Sequence, residues 1–149
     1  MKSARFSLVS FVVLLLPLFI TVLPLAAQNV SVYASGLNGP RGLAFGPDGA
    51  LYVAEAGLGG PTPSASFTCE LVPPPVGPYF GGPTARISKI TGPGAVTTVV
   101  DGLPSGISSL PSGDTVGVAD LAFIGHTLYA LLTGGGCSHG NPETPNGII

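Results

Sequence analysis

Two stretches of this 149-residue chain repeat one pattern, and that pattern limits the fold more than any other feature. Residues 37–57 read LNGPRGLAFGPDGALYVAEAG, and residues 116–136 read VGVADLAFIGHTLYALLTGGG. In the first, residues 42–45 form a short strand with Leu43 and Phe45 on one face, because strand side chains alternate. Gly46-Pro47-Asp48-Gly49 is a hairpin loop in which Pro and Asp set the bend and Gly supplies positive φ. Residues 51–55 return as a second strand, with Leu51 and Val53 sharing a face. The downstream copy has Leu121-Ala122-Phe123, a tighter turn around Gly125-His126, and Leu128-Tyr129-Ala130-Leu131. The common frame is Leu-Ala-Phe, a turn, then Leu-Tyr-(Val or Ala).

A second match extends the repeat beyond the hairpin. Residues 30–37, VSVYASGL, parallel residues 96–103, VTTVVDGL: both are β-branched runs that end in a polar residue and Gly-Leu. Their offset of 66 residues against 78 for the hairpins puts an insertion in the Ser/Gly/Pro-rich stretch 104–117. One further strand, residues 86–90, is closed by Thr91-Gly92-Pro93-Gly94. A unit therefore has four short antiparallel strands, at 42–45, 51–55, 86–90 and 96–101. No segment beyond the N-terminal leader sustains a helical period, so the class is all-β. Four-stranded sheets repeated along a chain predict β-propeller blades. Blades pack on both faces, which accounts for small uncharged Ala44 and Ala122 where a one-sided sheet is usually polar. A small β-sandwich is the alternative architecture. In the propeller register residues 30–35 are an orphan outer strand. The chain then holds about one and a half blades, the expectation for an N-terminal fragment of a larger ring.

The leader is set aside from this reading. Lys2 and Arg5 precede a nearly unbroken apolar run, residues 6–25, which ends in Ala26-Ala27-Gln28. This is a signal peptide over residues 1–28, cut near Ala27 or Gln28, with an uncleaved membrane anchor as the alternative. The expected domains are thus 1–28, signal peptide, and 29–149, β-propeller. Past the leader only Arg41, Arg86 and Lys89 oppose seven acidic residues. Three dispersed cations make no stripe for phosphates, so nucleic acid is not an expected partner, nor is a membrane after cleavage. Asn29-Val30-Ser31 fits a glycosylation sequon.

The stretch GLNGPRGLAFGPDGALYVAEAG, the Gly-rich insert after it, ARISKIT, VTTVVDGLPS and GVADLAF together resemble the ScyD/ScyE family of exported, NHL-like β-propellers. The resemblance covers roughly residues 30–136 and is most specific over 41–57. It implies an exported propeller and supplies no catalytic motif. The second copy departs from it by losing Pro-Asp-Gly.

In a propeller, the loops after the second and fourth strands emerge on one face. Both are long here, at residues 56–84 and 101–117, and a counterpart begins at Gly134. Long loops gathered on a rigid scaffold are where binding usually sits. Cys69 and Cys137 fall in equivalent insertions of consecutive units, and pairing across the loop face suits an exported chain. His139, Asn141 and Glu143 lie beside Cys137, but one His without companions is no zinc site, and His126 belongs to a turn on the opposite face. Glu55 and Asp120 are the candidate calcium ligands, by analogy with propeller lactonases; the plainer role is to satisfy loop N–H groups. No nucleophile elbow, zincin helix or phosphate loop is present. The expected protein is therefore a secreted or periplasmic binding or scaffolding module without a cofactor, meeting an unknown ligand or protein on the long-loop face. The alternative is a calcium-dependent, lactonase-like hydrolase. A third reading has several copies of the chain assemble a ring.

Overall fold

The computed structural model describes residues 30–149; the expected signal peptide and Asn29 of the sequon lie outside the described residues. The unit Val32–Ile149 is all-β. Its first sheet holds β1 (Pro40–Phe45), β2 (Leu51–Glu55), β3 (Thr62–Pro63), β4 (Tyr79–Gly92), β5 (Ala95–Ser108) and β6 (Thr115–Val116). The order is β1-β2-β4-β5-β6, antiparallel throughout, with β3 on the far end of β4. Its second sheet is β7 (Val118–Ile124), β8 (Thr127–Leu132) and β9 (Gly147–Ile148), in that order.

The duplicated hairpin is duplicated in register as well as in sequence. In the first sheet Leu43, Ala44 and Phe45 pair with Val53, Tyr52 and Leu51. In the second, Leu121, Ala122 and Phe123 pair with Ala130, Tyr129 and Leu128. Both ladders then shift register and close on a matching pair, Pro40 with Glu55 and Val118 with Leu132. The turns differ as their sequences require. Gly46–Gly49 is a turn closed by the Gly49 N–H donating to the Gly46 carbonyl at 2.9 Å, with Gly49 at φ +76°, where a side chain would be strained. Asp48 shapes this turn and also bonds outward. Its carboxylate accepts from the Ala50 N–H at 3.2 Å and the Tyr52 hydroxyl at 3.1 Å, and Lys89 Nζ lies 2.6 Å away.

The Lys89 ammonium, aided by these hydrogen bonds, holds the Asp48 carboxyl at about 2 rather than its ordinary 3.8. A depressed carboxylate contributes stability that is complete above its unfolded value and is lost as the pH falls through its folded one. The thermal midpoint of the wild type is therefore expected to exceed that of Asp48→Asn at neutral pH, and the difference to shrink to nothing as the pH approaches about 2. A difference constant across that window would remove the Asp48–Lys89 pair from the account.

The sheets meet through opposite faces. Ala44, Tyr52, Ala54 and Ile87 of the first pack with Leu121, Leu128, Ala130 and Leu132 of the second. The Tyr52 and Phe123 rings meet edge to face, their centroids 4.9 Å apart. Burying side chains such as Leu132 and Val118 contributes roughly 1.5–3 kcal/mol each. The edge strands β1 and β7 come together at Gly42, where a Cβ would lie 2.3 Å from Asp120 Oδ1 and 2.8 Å from its Cα. Only glycine permits that approach.

Two segments differ from the sequence expectation. Residues 30–37 join no strand ladder; Gly94 N–H donates to the Tyr33 carbonyl at 2.9 Å, and the segment runs beside the β4–β5 turn instead. A β-branched run has strand propensity, but a strand also needs an edge to pair with. Large parts of the expected loops are strand. The β4–β5 hairpin shifts register around Gly82–Ala85 and Ala85–Ile87 and continues as a narrow ribbon to Tyr79 and Ser108, with β3 and β6 along its sides.

Candidate binding rim

The rim is built where β2 ends, where β1 and β7 begin, and where the ribbon carries the two insertions. Its most buried charge is Glu55, fully enclosed. Arg86 Nε donates to Glu55 Oε1 at 2.9 Å, the Ser88 hydroxyl donates to the same oxygen, and the Asn38 N–H donates to Oε2. Arg86 Nη2 donates onward to the Gly36 carbonyl at 2.8 Å. The Ala56 and Gly57 N–H groups donate to the Gly39 and Asn38 carbonyls at 2.9 and 3.0 Å. Both oxygens of Glu55 are thus engaged in fastening residues 36–39 to the sheet edge. Asp120 is exposed near the start of β7, with Oδ1 accepting from the Leu121 N–H at 2.9 Å. Among the described residues, no group of three or more His, Cys, Asp or Glu side chains is placed to share one metal ion.

The first insertion is held by hydroxyls. Ser105 Oγ accepts from the Gly59 N–H at 2.9 Å and donates to the Ala56 carbonyl at 2.6 Å. Thr84 Oγ1 accepts from the Leu58 N–H at 2.9 Å and donates to the Gly59 carbonyl at 2.7 Å. The short 3-10 turn Ser64–Ser66 is pinned where Ser64 Oγ accepts from the Tyr79 N–H at 3.0 Å. Short side chains can satisfy backbone N–H and C=O groups that a loop leaves without ladder partners.

The second insertion folds onto the first. Cys69 and Cys137 form a disulfide with a Cα–Cα distance of 6.4 Å. Asn141 Nδ2 donates to the Ser105 and Gly134 carbonyls, both at 2.8 Å, bridging β5 to the chain beyond β8. Asn146 Oδ1 accepts from the Gly135 N–H at 2.8 Å. His139 Nδ1 lies 2.9 Å from the Gly135 carbonyl, so this nitrogen carries the proton, and its ring meets Tyr79 edge-on at 4.9 Å. His139 and Asn141, neighbours of Cys137 in sequence, therefore bond to backbone, while Glu143 is exposed and His126 sits exposed in the β7–β8 turn.

A groove of about 260 Å³ opens beside this platform, lined by Arg41, Asp114, Thr115, Gly117, Ala119 and Thr133 among others. Arg41 Nη2 donates to Asp114 Oδ1 at 3.3 Å and to the Thr115 carbonyl at 2.6 Å, leaving both side chains about half exposed. Burial of the Tyr79 phenol, together with the Asp114 carboxylate, raises its titration above the ordinary tyrosine value. Sequence reasoning missed this groove because Arg41 and Asp114 lie 73 residues apart and neither belongs to a motif. The available signal was the scarcity of cations after residue 28. What the groove offers chemically is a concave surface with one guanidinium, one carboxylate, and threonine hydroxyl and backbone groups. Among the described residues, no helix is long and apolar enough to cross a membrane. No protein-family model, curated protein or solved structure matches the chain.

Proposed function

We propose that the chain provides the first units of an exported β-propeller of the ScyD/ScyE type, acting as a binding or scaffolding module through its insertion-bearing rim. The observation that carries this reading is the matched register of the two hairpins, stacked so that equivalent faces point the same way. Stacked sheets of that kind are the building plan of a propeller ring. The rim supports binding over catalysis, since its titratable groups hold backbone or one another and form no nucleophile–base pair. A cystine between the insertions suits an oxidising compartment and therefore export.

The competing reading, a calcium-dependent lactonase-like hydrolase, needs Glu55 and Asp120 as ligands. Equilibrium dialysis against calcium, run with a lactone hydrolysis assay, separates the two. The binding module is expected to take up no calcium tightly and to leave the lactone intact. Tight uptake that is lost in Asp120→Asn, accompanied by hydrolysis, would replace it with the enzyme.

A further inference from the structure

The groove at Arg41 and Asp114 keeps donors and acceptors in hand after the protein's own bonds are made. Arg86 and Lys89 are committed to Glu55 and Asp48. Arg41 engages only Nη2, with Asp114 Oδ1 and the Thr115 carbonyl. Among the described residues, its Nε and Nη1 and the second carboxylate oxygen of Asp114 meet no hydrogen-bond partner. The Thr115 and Thr133 hydroxyls donate to the Gly113 and Gly117 carbonyls at 3.3 and 3.0 Å, so each retains lone pairs that can accept. Ala56, Val116 and Ala119 add a small apolar surface to the lining. The walls come from both sheets and from the connection between them, and every lining residue lies within residues 41–133.

We infer that this groove binds one ring of a neutral sugar through a pair of neighbouring hydroxyls. The charges decide the class. Arg41 and Asp114 lie 3.3 Å apart and offset one another, so an anion entering the groove also meets the carboxylate and a cation also meets the guanidinium. A hydroxyl suits both, because it donates and accepts. Two hydroxyls on adjacent carbons can accept from Arg41 Nε and Nη1 and donate to Asp114 and to the threonine oxygens. The C–H face of the same ring can rest on Ala56, Val116 and Ala119. The volume of about 260 Å³ lies just below the roughly 300–1,000 Å³ usual for ligand sites, which suits a single ring. Both charged side chains are about half exposed, so the groove stays open for the rest of a longer glycan to leave it. The inference rests on the binding-module reading and names the ligand class of its rim.

The test is a glycan array carrying neutral, acidic and amino sugars, probed with the labelled protein and with Arg41→Met, Arg41→Lys and Asp114→Asn. The wild type is expected to be retained on neutral glycans, and soluble methyl glycosides of the retained sugars to compete it off. Arg41→Met and Asp114→Asn are each expected to lower retention by roughly tenfold or more, the effect of losing a charged hydrogen bond. Arg41→Lys keeps the charge without the planar fork and is expected to lose nearly as much. Circular dichroism checks that each variant is folded. Thr133→Val, which removes an acceptor and no charge, is expected to weaken retention by a smaller factor. Retention on no neutral glycan overturns the inference, as does retention on acidic glycans that Arg41→Lys preserves, which would make Arg41 a simple anion site. Retention on neutral glycans that every variant shares also overturns it, while leaving the binding reading in place with its contact elsewhere on the rim. Calcium uptake with lactone hydrolysis is measured separately, so failure here and failure of the binding reading are told apart.

Discussion

Glu55→Ala is expected to lower the free energy of unfolding by about 3 kcal/mol, the lower end of what removing one partner of a buried ion pair costs. The lower end applies because the Arg86 side chain is 25% exposed, so water compensates it in part, whereas Glu55 is fully enclosed. The substitution leaves the Ser88 hydroxyl without its acceptor and takes the anchor from the Asn38 N–H. Residues 36–39 should therefore loosen together, and amide exchange at Asn38 should rise while exchange in β7 and β8 stays protected. Urea unfolding at matched m-values measures the first effect, and site-resolved exchange the second. The second sheet supplies a control. Leu132 occupies, opposite Val118, the position Glu55 holds opposite Pro40, and it too is fully buried. A triple replacement, Glu55→Leu with Arg86→Met and Ser88→Ala, is accordingly expected to fall within about 1 kcal/mol of the wild type, since apolar replacement of a whole buried pair is often neutral. A single alanine variant as stable as the wild type would mean that the cluster holds nothing.

That position also marks how far the sequence could be read. The strands of the repeated hairpin, their facing and the turn at Gly46–Gly49 follow from local alternation and turn chemistry, and the four-strand order follows from counting units. Glu55 was legible as the end of a strand. Its enclosure was not, because Arg86 and Ser88 come from a strand 31 and 33 residues later and Asn38 from a segment 17 residues earlier. The same limit applies to the ribbon of β4 and β5. Its strands contain Pro83, Pro104 and several glycines, which argue locally for loop, and only their mutual pairing and the covering second insertion make them strands. Residues 30–37 are the converse, strand-like in composition but in no ladder. At the rim, the cysteine positions were informative because equivalent insertions of stacked units are neighbours. The groove at Arg41 and Asp114 had no such logic behind it.

The disulfide carries the largest effect expected of the rim. Cys69 and Cys137 are 68 residues apart, and closing a loop of that length stabilises by about 4 kcal/mol in the chain-entropy model. The paired substitution Cys69→Ser with Cys137→Ser should lose most of that, and reduction of the wild type should reproduce the loss. The effect is local as well as global. β3 is two residues long and the two 3-10 turns are three each, so neither insertion has enough regular structure to order itself alone. What remains after reduction is a set of single hydrogen bonds, among them the Asn141 bridge to the Ser105 carbonyl and the Ser64, Thr84 and Ser105 contacts. Net contributions of roughly 0.5–1.5 kcal/mol per hydrogen bond do not replace the cross-link. Amide exchange should therefore accelerate over residues 60–78 and 134–146 on reduction while the Leu121–Ala130 pair of the hairpin core stays protected. Adding Asn141→Ala to the reduced protein should free the second insertion further, and the combined loss should fall short of the sum of the two single losses, because each contact limits the freedom the other must remove and that shared gain is lost with either one. Uniform loss of protection across both sheets would instead make the cystine part of the global core, and a stability unchanged by reduction would mean that the insertions fold onto the ribbon without it.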